Sequence, residues 1–281
     1  MKVTTETVAL ITGASRGIGV DIVRHLAQRG AKLVLAARNQ EKLEAVAAEA
    51  RSLGSETLVR PTDLSLREDT EALVRDARSH FGHIDLLVNN AGVEHYAFFE
   101  EVSLDDLEWT TRINVTAPMA LARLVLPGML ERNSGHIVNV ASLAGLGPTA
   151  FGEAYGASKH AVVGFTRALR ASLQTRGSGV SASVICPGFI SDVGMFADKQ
   201  AAHEGVEPVA FLGTSPPAAV ARAVLRATEK DLPEVIVNRG PLRLSLALAM
   251  VFPRLGEWLG RFLGVHQTNY TAAQSVSTTR Q

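Results

Sequence analysis

Apolar runs alternate with amphipathic stretches along most of this chain. Each apolar run is short and nearly continuous, as expected for strands that are buried on both faces of a parallel sheet. The predicted strands are Thr7–Thr12, Lys32–Ala36, Glu56–Arg60, Leu86–Asn89, His136–Val140, Ser181–Ile185 and Glu234–Val237. Helical periodicity between them predicts helices at Gly17–Arg29, Gln40–Leu53, Arg67–His80, Leu104–Leu130, Glu153–Thr175 and Pro217–Thr228. This alternation predicts an α/β protein with a doubly wound parallel sheet of about seven strands and helices on both faces.

No linker rich in proline, glycine or serine divides the chain, and no internal repeat is evident. We therefore expect one domain over residues 1–239, a helical extension over 240–265, and a polar, poorly ordered tail over 266–281. We expect no signal peptide at the start of the sequence, because Met1–Thr7 are mostly polar and the apolar run that follows is short. The most apolar stretch, Leu242–Phe252, is shorter than the roughly 20 residues that cross a bilayer.

Composition excludes several classes of protein. Of 281 residues, 46% are hydrophobic and 20% are charged, so a buried core is expected and dominant disorder is not. Basic and acidic residues number 28 each, which argues against a general nucleic-acid-binding protein. Cys186 is the only cysteine, so neither an internal disulfide nor a cysteine metal cluster can form. A reducing, cytoplasmic location is expected.

A glycine-rich segment follows the first predicted strand and opens the first predicted helix. Its glycines permit a tight turn and a close approach of the backbone to a ligand. The helix N-terminus that follows offers free N–H groups and a positive dipole end to a pyrophosphate. A glycine-rich turn without a ligand is the alternative, but the position after the first strand of an α/β pattern favours a dinucleotide. The candidate binding residues are Gly13, Ser15, Arg16, Gly17, Ile18 and Gly19.

The end of the second predicted strand bears on which dinucleotide binds. NAD-selective sites commonly hold the ribose 2′-hydroxyl with an acidic residue about 20 positions beyond the glycines. Here the sequence is Ala36-Ala37-Arg38-Asn39, with no carboxylate and with a guanidinium that can pair with a 2′-phosphate. Arg16 adds a second positive charge. We therefore expect NADP(H) rather than NAD(H), unless Arg38 is only a solvated residue at the start of the next helix.

Four polar residues are candidates for catalysis. Tyr155 and Lys159 are four positions apart on one helix, so they share a face, and a nearby ammonium lowers the pKa of a phenol. A surface Tyr–Lys pair is the alternative. Ser142 follows a predicted strand at the carboxyl end of the sheet, where ligands bind. Asn114 lies between apolar residues of a long predicted helix, where it holds a water linked to Lys159 or only caps a kink.

These residues occur together with further motifs, in a characteristic order. The motifs are Thr-Gly-x-x-x-Gly-Ile-Gly at Thr12–Gly19, Asn-Asn-Ala-Gly at Asn89–Gly92, Asn114, Ser142, Tyr155 with Lys159, and Pro187-Gly188. Over about Thr7–Val237 the chain resembles the short-chain dehydrogenase/reductase family. The resemblance implies a Rossmann-like fold and hydride transfer between a nicotinamide and a carbonyl or secondary alcohol.

The resemblance also implies a role for each site residue. Tyr155 would be the general acid/base, Lys159 would lower its pKa and hold the nicotinamide ribose, Ser142 would orient the substrate oxygen, and Asn114 would anchor a proton-relay water. Further cofactor contacts would come from Asn39, Asp63, Leu64, Asn90, Ala91, Gly92, Pro187, Gly188 and Ile190. One departure is Asp192, which stands where the family often has a threonine for the carboxamide, with Ser191 beside it.

Two segments are expected to shape the substrate pocket, Val93–Phe99 and the irregular stretch Phe189–Ser215, which is long enough to act as a lid. Aromatic and aliphatic residues there predict a fairly hydrophobic carbonyl or alcohol substrate. The alternative is that they only pack the lid onto the body. The predicted pocket residues are Ser142, Leu143, His95, Phe151, Phe189, Met195 and Phe196, with Phe211 also in the lid. His95 has no partner at metal-ligand spacing, so no metal is expected.

The extension has apolar residues at helical spacing, and Pro253 should interrupt any helix there. It is either a helix packed over the substrate cleft or at a subunit contact, or a surface-lying membrane anchor assisted by Arg243, Arg254 and Arg261. The family resemblance implies a homodimer or homotetramer built on Leu104–Leu130 and Glu153–Thr175. Two other functions stay open, a non-enzymatic NADP(H) sensor and an epimerase or dehydratase on the same scaffold.

Overall fold

The computed structural model describes residues 1–202, 205–209 and 212–280. In these ranges seven parallel strands form one sheet in the order β3-β2-β1-β4-β5-β6-β7. The strands are β1 Val8–Thr12, β2 Lys32–Ala37, β3 Thr57–Pro61, β4 Leu86–Asn89, β5 Gly135–Val140, β6 Val180–Pro187 and β7 Glu234–Val237. The predicted α/β fold is confirmed, because apolar runs buried on both faces favour strands in a parallel sheet.

Helices cover both faces of the sheet. They are α1 Ile18–Ala27, α2 Gln40–Ser52, α3 Arg67–Phe81, α4 Leu104–Thr111, α5 Ala117–Glu131, α6 Glu153–Thr175, α7 Met195–Ala202, α8 Pro217–Lys230, α9 Arg243–Val251, α10 Pro253–Phe262 and α11 Gln267–Arg280. Alternate residues of β1 point to opposite faces: Ile11 packs in a core with α1, α2 and α8, whereas Leu10 packs in a core with α3, α5 and α6. The result is a doubly wound, Rossmann-like sheet.

The chain reverses its direction of travel across the sheet at β1, which pairs with β2 on one side and β4 on the other. Ligands of open α/β sheets bind at this switch point, outside the carboxyl ends of the strands. Thr12 links the two loops at this switch point. Its hydroxyl accepts hydrogen bonds from the backbone N–H groups of Asn90 and Ala91 at 3.1 and 3.0 Å. The glycine loop and the Asn-Asn-Ala-Gly turn are thereby fixed side by side.

The stretch predicted as a single helix over Leu104–Leu130 is helical but not one continuous α-helix. A π-helical turn over Arg112–Thr116 separates α4 from α5. Hydropathy does not detect such a turn, because it changes the hydrogen-bond register without removing the apolar stripe. By length and composition, Leu104–Glu131 is the one helical stretch of the described residues that is apolar enough to span a membrane. Leu121 and Met129 on this stretch are buried in the sheet core.

The C-terminal region also differs from its prediction. Residues 266–281 were expected to be poorly ordered, but α11 spans Gln267–Arg280 and buries Thr268, Ala272 and Ala273. The extension is broken between α9 and α10 at Pro253, as proline predicts. The lid segment contains the helix α7 and is not irregular throughout, while its predicted residue Phe211 lies outside the described residues.

Candidate active site

The loop between β1 and α1 exposes its backbone to a neighbouring cavity. Gly13 and Gly17 have φ angles of 66° and 58°, in the left-handed region that glycine adopts without strain. Gly17 is the N-cap of α1 and has no side chain to cover the first N–H groups of that helix. Those groups suit an anionic phosphate. Gly19 lies behind the loop, contrary to its predicted contact with the cofactor, since a β-carbon there would overlap the carbonyl oxygen of Gly13.

A cavity of about 840 Å³ runs along the carboxyl ends of the strands, from the end of β2 to the C-terminal extension. This volume lies in the range of small-molecule and cofactor sites. Most of the predicted site residues line it, namely Gly13, Ser15, Arg16, Gly17, Ile18, Arg38, Asn39, Asp63, Leu64, Asn90, Ala91, Gly92, Ser142, Leu143, Tyr155, Lys159, Pro187, Gly188, Phe189, Ile190, Met195 and Phe196.

Two cations, Arg38 and Lys42, line the cavity at the end of β2. Asn39 caps α2 by accepting a hydrogen bond from the Lys42 backbone N–H at 2.8 Å, which places Lys42 one turn beyond Arg38. Burial acts to raise the pKa of nearby Asp63, but hydrogen bonds from Ser65 and the charge of Arg38 lower it overall. Lys42 was not among the predicted cofactor residues, although its place in the first turn after Arg38 indicates a second cation at this end of the site.

Arg16 lines the cavity, and its guanidinium also forms an ion pair with Asp198 of α7. Both side chains are more than half exposed, so the pair is weak and screened by salt. The pair joins the glycine loop to the lid segment. The second positive charge that Arg16 was expected to supply to the cofactor stays a prediction.

Tyr155 and Lys159 lie on one face of α6, at the wall of the cavity, and are only 7% and 4% exposed. The Lys159 ammonium donates a hydrogen bond to the carbonyl oxygen of Val140 at 3.1 Å and lies 5.6 Å from the centre of the Tyr155 ring. The Ser142 hydroxyl lies 3.4 Å from the carbonyl oxygen of Pro187. Three polar side chains from α6 and the loop after β5 therefore line the same cavity.

Burial favours the neutral form of both ionisable groups. It raises the pKa of Tyr155, with a further rise from the negative charge of Glu94, while a hydrogen bond with Ser142 opposes the rise. It lowers the pKa of Lys159 to about 8, against the attraction of Glu94. The pKa of Tyr155 is therefore raised, whereas Lys159 was expected to lower it, and burial is the largest cause. Tyr155 is therefore poised as a proton donor at neutral pH.

Asn114 stabilises the Asn-Asn-Ala-Gly turn from within the π-helical turn. Its amide oxygen accepts a hydrogen bond from the Val93 N–H, and its amide nitrogen donates to the Val93 carbonyl oxygen, both at 2.8 Å. It also donates to the Ser158 hydroxyl at 3.0 Å. A β-carbon on Gly92 would lie 3.3 Å from both Asn114 Oδ1 and Lys159 Nζ, so these polar atoms meet beneath the turn. Asn114 itself is buried behind the cavity wall.

Two predicted pocket residues, His95 and Phe151, lie away from this cavity. Nε2 of His95 is buried and has no hydrogen-bond partner among the described residues. The Phe151 ring packs 5.9 Å from Phe98 and 5.3 Å from Tyr270 of α11, measured between ring centres. Loop residues such as these cannot be assigned a direction from composition. Phe189 and Phe196 meet as expected, with ring centres 4.6 Å apart at the cavity wall.

In the segment after Pro187-Gly188, the residues that line the cavity are not the ones that the sequence singled out. Asp192 adopts a φ of 66°, and neither it nor Ser191 lines the cavity. Val193 and Gly194 line it instead, next to the glycine loop. The side chains of Ser191 and Asp192 are thus absent from the cavity lining at the position where the family often has a threonine.

Four polar residues at the substrate end of the cavity were not among the predicted site residues, although three of them lie in the two predicted pocket segments. Glu94 and Tyr96 come from the loop after β4, Lys199 from α7 and Asn269 from α11, and all four line the cavity. The Tyr96 hydroxyl donates to Glu94 at 3.1 Å, and its ring centre lies 6.3 Å from that of Tyr155. Glu94 and Tyr96 follow the Asn-Asn-Ala-Gly motif directly and Lys199 lies in the predicted lid, whereas nothing in the sequence pointed to Asn269.

The extension covers the cavity with one face and exposes the other. Leu246, Ala249 and Leu259 line the cavity, whereas Phe262 is 74% exposed and Trp258 stacks on it with 5.4 Å between ring centres. The inner face thus closes the substrate end, as one of the two interpretations of this segment expected.

Among the described residues the site has neither a reactive thiol nor a cluster of metal ligands. Burial raises the pKa of Cys186 to about 12, so this thiol stays protonated and inert at neutral pH. No cluster of three or more His, Cys, Asp or Glu side chains with metal-binding geometry occurs in the part of the chain that the structure describes.

Comparison with known proteins identifies the family. The family model described as short chain dehydrogenase matches residues 7–204, which include the glycine loop, Tyr155 and Lys159. The chain belongs to the short-chain dehydrogenase family. This confirms the resemblance seen in the sequence, and it makes the protein an oxidoreductase of the class that acts on CH–OH and C=O groups.

One relative of this short-chain dehydrogenase matches nearly its whole length, and another matches about two thirds of it. Ketoacyl reductase HetN of Nostoc sp. is 38% identical over 280 residues, covering 98% of this chain and 95% of that protein. D-beta-hydroxybutyrate dehydrogenase of Cupriavidus necator is 39% identical over 184 residues, covering 65% of this chain and 70% of that protein.

Solved structures of similar short-chain dehydrogenases contain nicotinamide cofactors. A Burkholderia phymatum protein in complex with NAD has a TM-score of 0.80 at 31% identity, covering 91% of this chain and 97% of its own. A metagenomic short-chain oxidoreductase in complex with NADP has a TM-score of 0.71 at 33% identity, covering 84% and 98%. The F189W actinorhodin polyketide ketoreductase with NADPH has a TM-score of 0.75 at 29% identity, covering 84% and 97%. A nicotinamide dinucleotide is thus the cofactor class of this short-chain dehydrogenase.

Proposed function

We propose that this short-chain dehydrogenase is an NADP(H)-dependent oxidoreductase that interconverts a carbonyl and a secondary alcohol in a fairly hydrophobic small molecule. The observation that carries the proposal is the convergence of Tyr155, Lys159 and Ser142 on one wall of a cavity that begins at the glycine loop. Phe189, Phe196 and the inner face of the extension give the far end its apolar lining.

The residues present fit a dinucleotide. The positive φ angles of Gly13 and Gly17 leave an open cradle before α1, and a side chain at Gly17 would meet the Gly194 backbone at 3.2 Å. The glycine loop would hold the pyrophosphate, Asp63 the adenine, and Lys159 the nicotinamide ribose. When bound, the nicotinamide supplies or accepts the hydride.

The chain's own residues handle the oxygen and its proton. Ser142 donates a hydrogen bond to the substrate oxygen and orients it. Tyr155, kept protonated by burial, gives its proton to that oxygen during reduction and takes it back during oxidation. The Lys159 ammonium stabilises the phenolate that results, and Asn114 holds the turn that borders both groups.

The main assay measures NADPH consumption against a panel of aldehydes and ketones, with binding of NADPH followed separately. We expect turnover with apolar ketones and no isomerised or dehydrated product. NADPH binding without turnover across the panel would favour the sensor, and product formation without net cofactor oxidation would favour an epimerase or dehydratase.

Arg38 and Lys42 support a preference for NADP(H). No acidic residue stands at the end of β2 to repel a 2′-phosphate, and both cations line the cavity there. We expect Arg38→Ala to raise the KM for NADPH about tenfold or more and to change the KM for NADH little. Equal effects on the two cofactors, or a native preference for NADH, would reject this assignment. Arg29→Ala, an exposed arginine of the surface pair with Glu229, is the control.

The outer face of α10 supports peripheral contact with an anionic membrane. Trp258 and Phe262 are 54% and 74% exposed on the same helix as the exposed cations Arg254 and Arg261. A basic helix with an exposed aromatic face binds at anionic lipid surfaces. We expect flotation with vesicles that contain anionic phospholipid, reduced in a Trp258→Ser, Phe262→Ser double variant. A protein that stays in solution with every vesicle composition would refute the contact.

We further propose a cytoplasmic homodimer or homotetramer that associates through α4, α5 and α6. Leu104 of α4 and Met119 of α5 are 78% and 42% exposed, although both are large and apolar. Light scattering should report a dimer or tetramer, and Met119→Glu should dissociate it. A monomer at micromolar concentration would contradict the proposal.

A further inference from the structure

The substrate end of the cavity contains polar groups that the proton transfer does not use. Glu94, Tyr96, Lys199 and Asn269, here called the polar cluster, come from three separate parts of the chain and line the cavity together. An otherwise apolar pocket uses such a small set of convergent polar groups to orient its ligand.

Lys199 is the unusual member of the polar cluster, because its ammonium is buried and only 7% of the residue is exposed. Nζ lies 3.2 Å from the centre of the Tyr96 ring and 3.3 Å from Asn269 Oδ1. The Glu94 carboxylate attracts this ammonium and opposes the lowering of its pKa by burial, but no ion pair within 4 Å joins Lys199 to a carboxylate among the described residues. An ammonium has three donors, so a cation–π contact and one amide oxygen leave it able to donate to a ligand.

The polar cluster lies next to the reacting groups. The ring centres of Tyr96 and Tyr155 are 6.3 Å apart, and Lys199 contacts the Tyr96 ring. A molecule whose carbonyl oxygen is held by Tyr155 and Ser142 therefore places atoms a few bonds away near Lys199. Glu94, bonded to the Tyr96 hydroxyl, adds a carboxyl group that disfavours a second anion. The surroundings suit an uncharged hydrogen-bond acceptor.

We propose that Lys199 is a specificity-determining residue that donates a hydrogen bond to a second, uncharged oxygen of the substrate, the carbonyl oxygen of an ester or thioester near the reacting ketone. The identity of the reacting ketone rests on the proposed function. Lys199 would thereby select oxoacyl esters over simple ketones of the same size, and Asn269 would hold the ammonium in position from α11.

The test compares ethyl acetoacetate with methyl pentyl ketone, which has the same chain length but lacks the ester. Calorimetry on the full chain with NADPH, in a Tyr155→Phe background, measures binding without turnover. We expect Lys199→Met to weaken ethyl acetoacetate binding about tenfold or more and to leave the simple ketone unchanged. With Tyr155 intact, the same change should appear in KM more than in kcat. Equal effects on both ligands, or none, would overturn the proposal.

Three comparisons separate this role from others. Lys230→Met removes an exposed lysine and should leave both affinities unchanged. Asn269→Ala breaks the same bond between α7 and α11 but keeps the ammonium, so equal weakening of both ligands in both variants would show a structural effect and reject the proposal. A larger Lys199→Met effect on acetoacetate than on its ethyl ester would show recognition of a carboxylate and also reject it.

The outcome also distinguishes the two proposals. Turnover of both ketones without discrimination by Lys199 would leave the proposed function standing and remove only this inference. Absence of turnover in the native chain, with the calorimetric difference intact, would remove the proposed function and retain the role of Lys199 in binding.

Discussion

Burial shifts the pKa values of Lys159 and Tyr155 in opposite directions, lowering that of the amine and raising that of the phenol. Both side chains are almost fully buried on α6, and burial favours the neutral phenol as well as the neutral amine. Glu94 opposes the loss of charge on Lys159 while it raises the pKa of Tyr155 further. The site therefore keeps the phenol proton available for a substrate oxygen, at a cost in stability for the buried ammonium.

That cost leads to a prediction for Lys159→Met. Below the folded-state pKa of about 8 the native protein must hold a buried charge, and between about 8 and 10.5 only the unfolded chain keeps this proton. The penalty is therefore complete at neutral pH and decreases as the pH rises toward 10.5. We expect the variant to be more stable at pH 7, by on the order of 1–3 kcal/mol, and inactive.

Urea unfolding of Lys159→Met and native protein at neutral and alkaline pH measures this difference. Lys230→Met, at an exposed position, should change stability little at either pH. A Lys159 variant that is less stable at neutral pH, or whose gain increases with pH, would show that the ammonium is well accommodated.

At the scale of elements, two helical glycines test how tightly each helix packs against its surroundings. A β-carbon on Gly19 would overlap the Gly13 backbone, which cannot move without opening the cofactor loop. Gly164 is exposed in the middle of α6, with nothing within 4 Å of its position for a β-carbon. We expect Gly19→Ala to destabilise the protein by about 1–3 kcal/mol, and Gly164→Ala to stabilise it by up to about 1 kcal/mol in the Met119→Glu background, which removes the proposed subunit contact. Thermal unfolding of the two variants checks both signs, and a neutral Gly19→Ala would contradict the packing described.

The elements also show what sequence patterns can predict. All seven strands were predictable, because a strand covered by helices on both faces has an almost unbroken apolar run. The π-helical turn around Asn114 was not, since it changes the hydrogen-bond register without interrupting the apolar stripe, and the Asn114 bonds to Val93 that accompany it leave no mark in the periodicity. The ordered α11 was missed because Thr268 and Asn269 pack through hydrogen bonds to Glu207 and Ala150 rather than through an apolar stripe.

At the scale of the whole molecule, the site is assembled from segments that are far apart in the chain. The spaced motifs predicted Tyr155, Lys159, Ser142 and the glycine loop, because these residues follow strand ends or share a helix face. Lys199 and Asn269 were not predictable, since the fold brings α7 and α11 together over 70 intervening positions. His95 and Phe151 were predicted to line the pocket but do not line the cavity, because loop side chains take their direction from tertiary packing.

The contacts of α11 predict the effect of removing residues 266–281. Without this helix the lid loses the Asn269 bonds to Lys199 and Ala150 and the packing of Tyr270 on Phe98 and Phe151. We expect faster proteolysis within residues 195–215 and at least a tenfold higher KM for the carbonyl substrate, with NADPH affinity within about threefold of native. Thr271→Ala, which removes only a hydroxyl that bonds to the Gln267 carbonyl oxygen within α11, is the control. An unchanged KM after truncation would exclude α11 from the pocket.

The central claim is that Tyr155 transfers the proton in a cavity that also holds the cofactor. Its most direct test compares Tyr155→Phe with Tyr270→Phe, which removes a phenolic hydroxyl outside the cavity, in NADPH-dependent carbonyl reduction and in NADPH binding. We predict that Tyr155→Phe lowers turnover by about a hundredfold to ten-thousandfold with NADPH affinity retained, while Tyr270→Phe stays close to native. Near-native turnover in Tyr155→Phe would contradict the account.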